Sequence, residues 1–228
     1  MRVNLHTCLI LSRYYGSVST EATGNKRGPY ASTVRRRETI SSAAMDIVVT
    51  LGHEAMTTAL IAERSGIAEA TVLYHFPTRD HLLVAALERA DDETNIEAGR
   101  ASFDLDRLRN SDGLVNGSMN LSRLLTVLRG HSSSPEHPAH AYFQRRNTKA
   151  IGIYTDLIAR RQQDGLAHPS IDPASVALQL LALWDGLTVL HLANPELPIG
   201  DLLVDGYRRL AGENWMHAQR AMFDAFGE

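Results

Sequence analysis

The sequence predicts an all-α fold: an N-terminal three-helix head containing a helix-turn-helix, followed by a larger helical body. Two patterns predict it. Apolar residues recur at the 3, 4, 3, 4 spacing of one helical face, and no strand-like alternation or internal repeat appears. Glycines, prolines and Ser/Thr residues stand where those stretches begin and end. With 228 residues, 44% apolar and 21% charged, the chain is long enough for a sizeable core and its composition excludes wholesale disorder.

The formal net charge of −3 conceals an asymmetry. Residues 1–89 carry ten Lys and Arg against eight Asp and Glu, and the remainder carries thirteen against eighteen. Lys26, Arg27, Arg35, Arg36 and Arg37 form a basic cluster with no acid among them. Such a cluster is either a phosphate-binding footprint or a solvated tail, and charge alone leaves both open. Ahead of it, residues 1–25 read as a poorly ordered extension. Leu5–Leu11 is too short to span a bilayer, and Arg13 interrupts any signal-peptide core. The single cysteine, Cys8, excludes an intramolecular disulfide and a thiolate metal cluster, so the chain reads as soluble, intracellular and reduced.

The first patterned helix carries Ile40, Ala43, Ala44, Ile47, Val48 and Leu51 on one face and stops at Gly52. Thr57 and Thr58 are N-cap candidates for a second, short helix with Leu60, Ile61 and Ala62 on its buried side, ending at Gly66. Small Ala62 lets the next helix approach, Gly66 permits the turn, and Ile67 and Val72 point inward. That core suits an ordinary helical hairpin as well as a helix-turn-helix. The third segment, Ala68 to Phe76, separates them. Its outward positions, Glu69, Ala70, Thr71, Tyr74 and His75, are small or hydrogen-bonding, which suits insertion into a major groove. The competing reading is a packed three-helix domain in which Tyr74 and Phe76 are core aromatics. Pro77 ends the segment, and Thr78 caps a longer connecting helix. There Asp80 complements the dipole, and Leu82, Leu83, Ala86 and Leu87 form the buried face.

The run Thr57 to Leu83, TTALIAERSGIAEATVLYHFPTRDHLL, resembles the DNA-binding domain of the TetR family of transcriptional regulators. The match is strongest over residues 34–87, and Tyr74-His75-Phe76 with the helix start after it is its most specific element. Lys26 to Tyr30 resembles the basic arm that often precedes this head. The resemblance implies a double-stranded DNA operator as partner. Thr57 and Thr58 would hold a phosphate, Thr71 and Tyr74 would contact backbone or a thymine methyl with His75 beside them, and Arg79 would clamp a phosphate where relatives carry Lys. Arg27 would reach along the minor groove or the flanking backbone if the arm orders on DNA. Two departures stand out. Ala68 replaces the usual Ser or Thr cap, and Ala70 replaces a common Gly. Glu69 would discriminate against some phosphates or select a cytosine amino group.

Beyond Asn95 the resemblance is architectural. Gly113 and Asn116-Gly117 mark breaks, and Leu121, Leu124, Leu125 and Leu128 form one helical face ending near Gly130. After a loop from Ser132 to Pro138, a long helix runs from Ala139 to Gln163 and stops at Gly165. Pro173 to Ala193 is the most apolar stretch. Gln179, Asp185 and His191 argue against a membrane span, and its leucines exceed one stripe. The resemblance implies that this helix and the next, Gly200 to Leu210, form a homodimer interface, where Gly186 would either allow close approach or serve local packing. It also implies a small-molecule effector between the body helices. Leu124, Leu128, Phe143, Asn147, Ile151, Tyr154, Trp184 and His191 are the candidates for it, apolar positions with a few polar handles.

His131, His137 and His140 cluster near one loop without a completing ligand set and read as loop residues, so no metal or cofactor is expected. No nucleophile elbow, phosphate loop or paired catalytic acids appear, and an enzyme is not expected. The division is therefore residues 1–25 as extension, 26–77 as arm and DNA-binding head, and 78–228 as a ligand-binding and dimerisation body, in a cytoplasmic regulator, most often a repressor in this family. Two rivals belong to other classes: a metabolite-binding or enzymatic helical protein with a degenerate head, and an architectural DNA binder without an effector.

Overall fold

The computed structural model describes residues 29–94, 102–110 and 117–226. Arg27, the extension at 1–25 and the breaks at Gly113 and Asn116 lie outside the described residues. Residues 1–34 and 35–228 separate as two units, and the packed core belongs to the second. Among the described residues the regular elements are helices. The head comprises α1 (Pro29–Leu51), a 3-10 turn (His53–Ala55), α2 (Thr58–Ser65) and α3 (Glu69–His75). The connecting helix is α4 (Arg79–Thr94). The body adds α5 (Leu105–Arg109), α6 (Met119–His131), α7 (Pro138–Gln163), α8 (Pro173–Ala193), α9 (Ile199–Leu210) and α10 (Glu213–Phe226).

The expected buried stripes became the core, except that Leu51, read as part of the first, is the last residue of α1 and stays exposed. Ile40, Ala44, Ile47 and Val48 of α1 meet Ile61, Val72 and Phe76, and the same apolar cluster continues through Leu82–Leu87 into Leu121, Leu124, Leu125, Leu128 and Phe143. A second cluster joins Leu108, Leu157, Ile158, Val176, Leu180, Leu203, Val204 and Tyr207, and Trp184 packs against both. Burial of these side chains, at about 1.5–3 kcal/mol each, is the main force holding the helices together.

Polar ties fix how α4 lies on the body. His137 Nε2 is 3.3 Å from Asp80, Arg145 donates to Glu88 at 2.5 Å, and Arg146 pairs with Asp91, whose other oxygen accepts from the Tyr142 hydroxyl at 2.9 Å. On α6, Asn120 donates to the Val49 carbonyl of the head at 3.0 Å. The α6–α7 turn is closed by its histidines. His131 and His137 stack with centroids 4.8 Å apart, and His137 Nδ1 accepts from the Ala139 amide.

α8 has the length and mean hydropathy, 1.6, of a membrane-crossing helix. One side of it lies in the core through Val176, Ala177, Leu180, Leu181 and Thr188, and Asp185 is ion-paired to Arg129 at 2.8 Å. Its opposite side leaves Leu178, Val189 and Leu190 exposed, which explains leucines in more than one stripe. Helix α10 had no counterpart among the sequence expectations. Its apolar residues Trp215, Met222 and Phe223 stay exposed, so they mark no buried stripe. Polar contacts anchor it instead: buried Glu213 pairs with Arg161 near the end of α7, and Arg220 donates to the Gly165 carbonyl at 2.7 Å.

Candidate nucleic-acid interface

The helix-turn-helix is built by local rules. Thr57 caps α2, its hydroxyl accepting from the Leu60 amide at 3.1 Å. Gly66 ends α2 in the left-handed region at φ 67°, the conformation a side chain with a Cβ resists, and so turns the chain sharply. Val72 and Phe76 are buried and seat α3 on α1 and α2. With those two inward, the rotation of α3 is set. Glu69, Ala70 and Tyr74 face outward, and Thr71 and His75 are half-buried at the edge. Tyr74 is 81% exposed and packs only edge-to-face on His75, so it is no core aromatic; Phe76 is. Leu73, 43% exposed, is an additional outward residue that the sequence pattern did not single out.

Two expected phosphate contacts, Thr58 and Arg79, look different in place. Thr58 is not a cap. It is the first helical residue of α2, and its hydroxyl donates to the Glu69 carboxylate, tying the start of α2 to the start of α3. Glu69 is correspondingly held rather than free to search for a base. Arg79 was expected to point at phosphate, but its Nε donates to the Met56 carbonyl at 3.0 Å and its Nη2 to the His53 carbonyl at 2.6 Å. The guanidinium therefore braces the 3-10 turn against α4. Arg37, counted in the sequence only as one cation of the cluster, donates to the His75 carbonyl at 2.9 Å and lies 4.4 Å over the Phe76 ring. It closes the C-terminal end of α3, and no periodicity rule points to such a contact.

Ala68 precedes α3 in extended backbone and supplies no side-chain cap, as the missing Ser or Thr implied. Ala68→Ser is expected to stabilise the head by about 1 kcal/mol. Thermal unfolding reads this as a rise of a few degrees, and an unchanged or lower midpoint would show that the position cannot accept a cap.

The effector candidates separate into two groups. Leu124, Leu128 and Phe143 are almost fully buried members of the first core cluster. Ile151, Tyr154 and Trp184 are partly buried against the second, and burial pushes the Tyr154 hydroxyl up to about 12. Asn147 accepts from Arg129 Nη1 at 2.8 Å. His191 is half-buried, with an Nδ1 that has no hydrogen-bond partner. Between these residues lie charges that pattern reading passed over, Arg129, Asp185, Arg146 and Asp91. Burial works against the Arg146 charge, but the Tyr142 hydroxyl and the Asp91 carboxylate outweigh it and hold the guanidinium's pKa above its ordinary value. A lone acid in the most apolar stretch, Asp185, was the one signal available for this network.

Residues 40–86 match the model of the bacterial regulatory proteins of the tetR family. The HTH-type transcriptional repressor KstR of Mycolicibacterium smegmatis is 36% identical over 95 residues, 40% of this chain and 47% of that repressor. The alignment thus spans just under half of that relative's length. A nucleoid occlusion factor of Photobacterium profundum, SlmA, is 27% identical over 72% of this chain and 84% of its own. Among solved structures, a TetR transcription regulator from Haloarcula marismortui superposes with a TM-score of 0.60 at 22% identity, over 78% of this chain and 97% of that one, a likeness of fold.

Proposed function

We propose, from the match of residues 40–86 to the tetR family model and the likeness of 95 residues to the repressor KstR, that this chain is a tetR-family, sequence-specific DNA-binding transcriptional regulator, a repressor released from a near-palindromic operator by a small molecule. The observation that carries the reading is α3. Its rotation is set by buried Val72 and Phe76, and it holds out Tyr74, an aromatic the core does not need. Thr57, Thr71, Tyr74 and His75 would contact the duplex, with Arg27 reaching along the minor groove. Arg79 would act through the turn it braces, with any remaining donor on phosphate. Residues 26–77 would read DNA, and 78–228 would sense and dimerise, in the cytoplasm and without a cofactor or enzymatic activity.

A second copy is the natural cover for α8, whose Leu178, Val189 and Leu190 are about half exposed. Two heads held about one helical turn of DNA apart would read a near-palindrome. An effector bound in the body would favour another head separation, by no more than its differential affinity for the two forms.

Footprinting of the full-length protein on DNA around its own gene tests the reading, with and without Tyr74→Ala. A protected near-palindrome is expected, with affinity falling steeply as salt rises. Tyr74→Ala should weaken binding about tenfold or more at an unchanged melting temperature, since an exposed side chain contributes to the groove and not to the core. Failure to protect any site at moderate salt would sink the proposal. A second reading is an architectural DNA binder without an effector; the likeness over most of the chain to a protein named for nucleoid occlusion, a name that mentions no small molecule, supports it. It would show protection at sites that no small molecule relieves.

A further inference from the structure

We infer that the body contains a carboxylate-binding site whose seat is the Nε–Nη2 edge of Arg129. This rests on the effector-responsive reading of the body and names the chemistry of its ligand, an organic acid.

Arg129 leaves α6 near its C-terminal end and reaches between α7 and α8. One face of its guanidinium is covered by the Phe143 ring at 4.0 Å. Nη1 donates to Asn147 Oδ1 at 2.8 Å, and Nη2 donates to Asp185 Oδ1 at 2.8 Å. Nε is buried and has no partner. A carboxylate matches an arginine edge with two parallel hydrogen bonds. Here the edge is half used, with one oxygen of Asp185 on Nη2 and nothing on Nε. A buried donor left unpaired costs free energy, and so does withdrawing the two charges from water. Burial accordingly lowers the Arg129 pKa and raises that of Asp185, against their mutual attraction. A pair serving stability alone has little reason to stop at one bond.

An external carboxylate on this edge would satisfy Nε and Nη2 together and displace Asp185, whose side chain keeps 30% exposure and a route to solvent. Asn147 would go on fixing the guanidinium, and Trp184, which packs against both cores, would supply an apolar wall. The neighbouring cation is not available for the exchange, because Arg146 is held by Asp91 and Tyr142. The output is also in place. Arg129 and Asn120 sit at opposite ends of α6, and Asn120 holds the Val49 carbonyl of the head. Releasing Asp185 loosens a tie between α6 and α8 while the far end of α6 still grips the head.

The test is thermal unfolding of the full-length chain at constant ionic strength with acetate and benzoate, and with acetamide and benzamide as uncharged counterparts. Wild type, Asp185→Asn and the charge-neutral Arg129→Gln/Asp185→Asn pair are compared. Benzoate should raise the wild-type midpoint and benzamide should not. In Asp185→Asn, with the competing carboxylate gone, acetate and benzoate should act at about tenfold lower concentration. The response should vanish in the double variant. If Asp185→Asn unfolds on its own, recovery by acetate is the same result in stronger form, and no recovery overturns the site. Equal responses to acid and amide overturn it as well, as does a response that survives in the double variant. Operator retention is read on the same samples. Carboxylates that bind and leave the operator complex intact would remove the effector reading and keep the site. Absence of operator binding before any carboxylate is added would remove the proposed function, and the thermal series would still decide the site.

Discussion

Asp91→Ala is expected to lower stability by about 3–5 kcal/mol, the cost of leaving a buried charge without its partner. Asp91 lies on α4 and gives its carboxylate to Arg146 and to the Tyr142 hydroxyl, both on α7. The Arg146 side chain is only 18% exposed, so water cannot replace the lost carboxylate without a rearrangement of α7. Urea unfolding measures the loss. The companion variant Asp91→Leu/Arg146→Met removes both charges and should recover most of it, because apolar groups of similar size avoid the desolvation altogether. A loss below about 1 kcal/mol in Asp91→Ala would show that Arg146 is solvated and that the pair is an ordinary surface bridge. The consequence is functional too. Asp91 lies on the helix that leads out of the head, so the variant should unfix the head from the body before it unfolds the head itself.

Gly200→Ala is expected to cost about 2–3 kcal/mol, the upper part of the range for overpacking. A Cβ there would lie 2.7 Å from the carbonyl carbon of Arg109 and closer still to its oxygen. Both atoms belong to the backbone at the end of α5, which no rotamer change can clear. Only glycine lets α9 begin this close to α5, where Arg109 also pairs with Asp201 at 3.0 Å. Gly130→Ala is the control, since a Cβ at that exposed helical position meets nothing within 4 Å. It should be neutral or stabilising by up to about 1 kcal/mol. A melting temperature for Gly200→Ala equal to that of Gly130→Ala would show that α5 and α9 can part at no cost.

These two sites mark the limit of pattern reading. The stripe Ile40, Ala44, Ile47, Val48 was visible because helical burial repeats every three or four residues, and every one of those side chains is in the core. The turn at Gly66 and the cap at Thr57 were visible because both act within a few residues of themselves. The outward face of α3 followed once Val72 and Phe76 were assigned inward. Gly200, in contrast, was read as the start of a helix. Nothing near it in the chain announces that its reason is Arg109. Arg79 was assigned by likeness to a lysine that meets phosphate, and the structure gives two of its donors to carbonyls more than twenty residues earlier.

The effector candidates follow the same rule. Leu124, Leu128 and Phe143 were legible as apolar, and apolarity alone does not separate a pocket wall from a core. The residues that distinguish this body, Arg129, Asp185, Arg146 and Asp91, come from four different helices and carry no spacing signature.

By itself, then, the sequence determined the helices of the head and most of those of the body, the greater part of their buried faces, the turn of the head and the side chain, Tyr74, that the head holds out. Those depend on period and on contacts a few residues long. Tertiary structure decided which charges meet, which glycine is irreplaceable and which arginine edge stays open. Such pairings join residues tens of positions apart, and their free energy comes from desolvation and close approach, which exist only once the helices have packed.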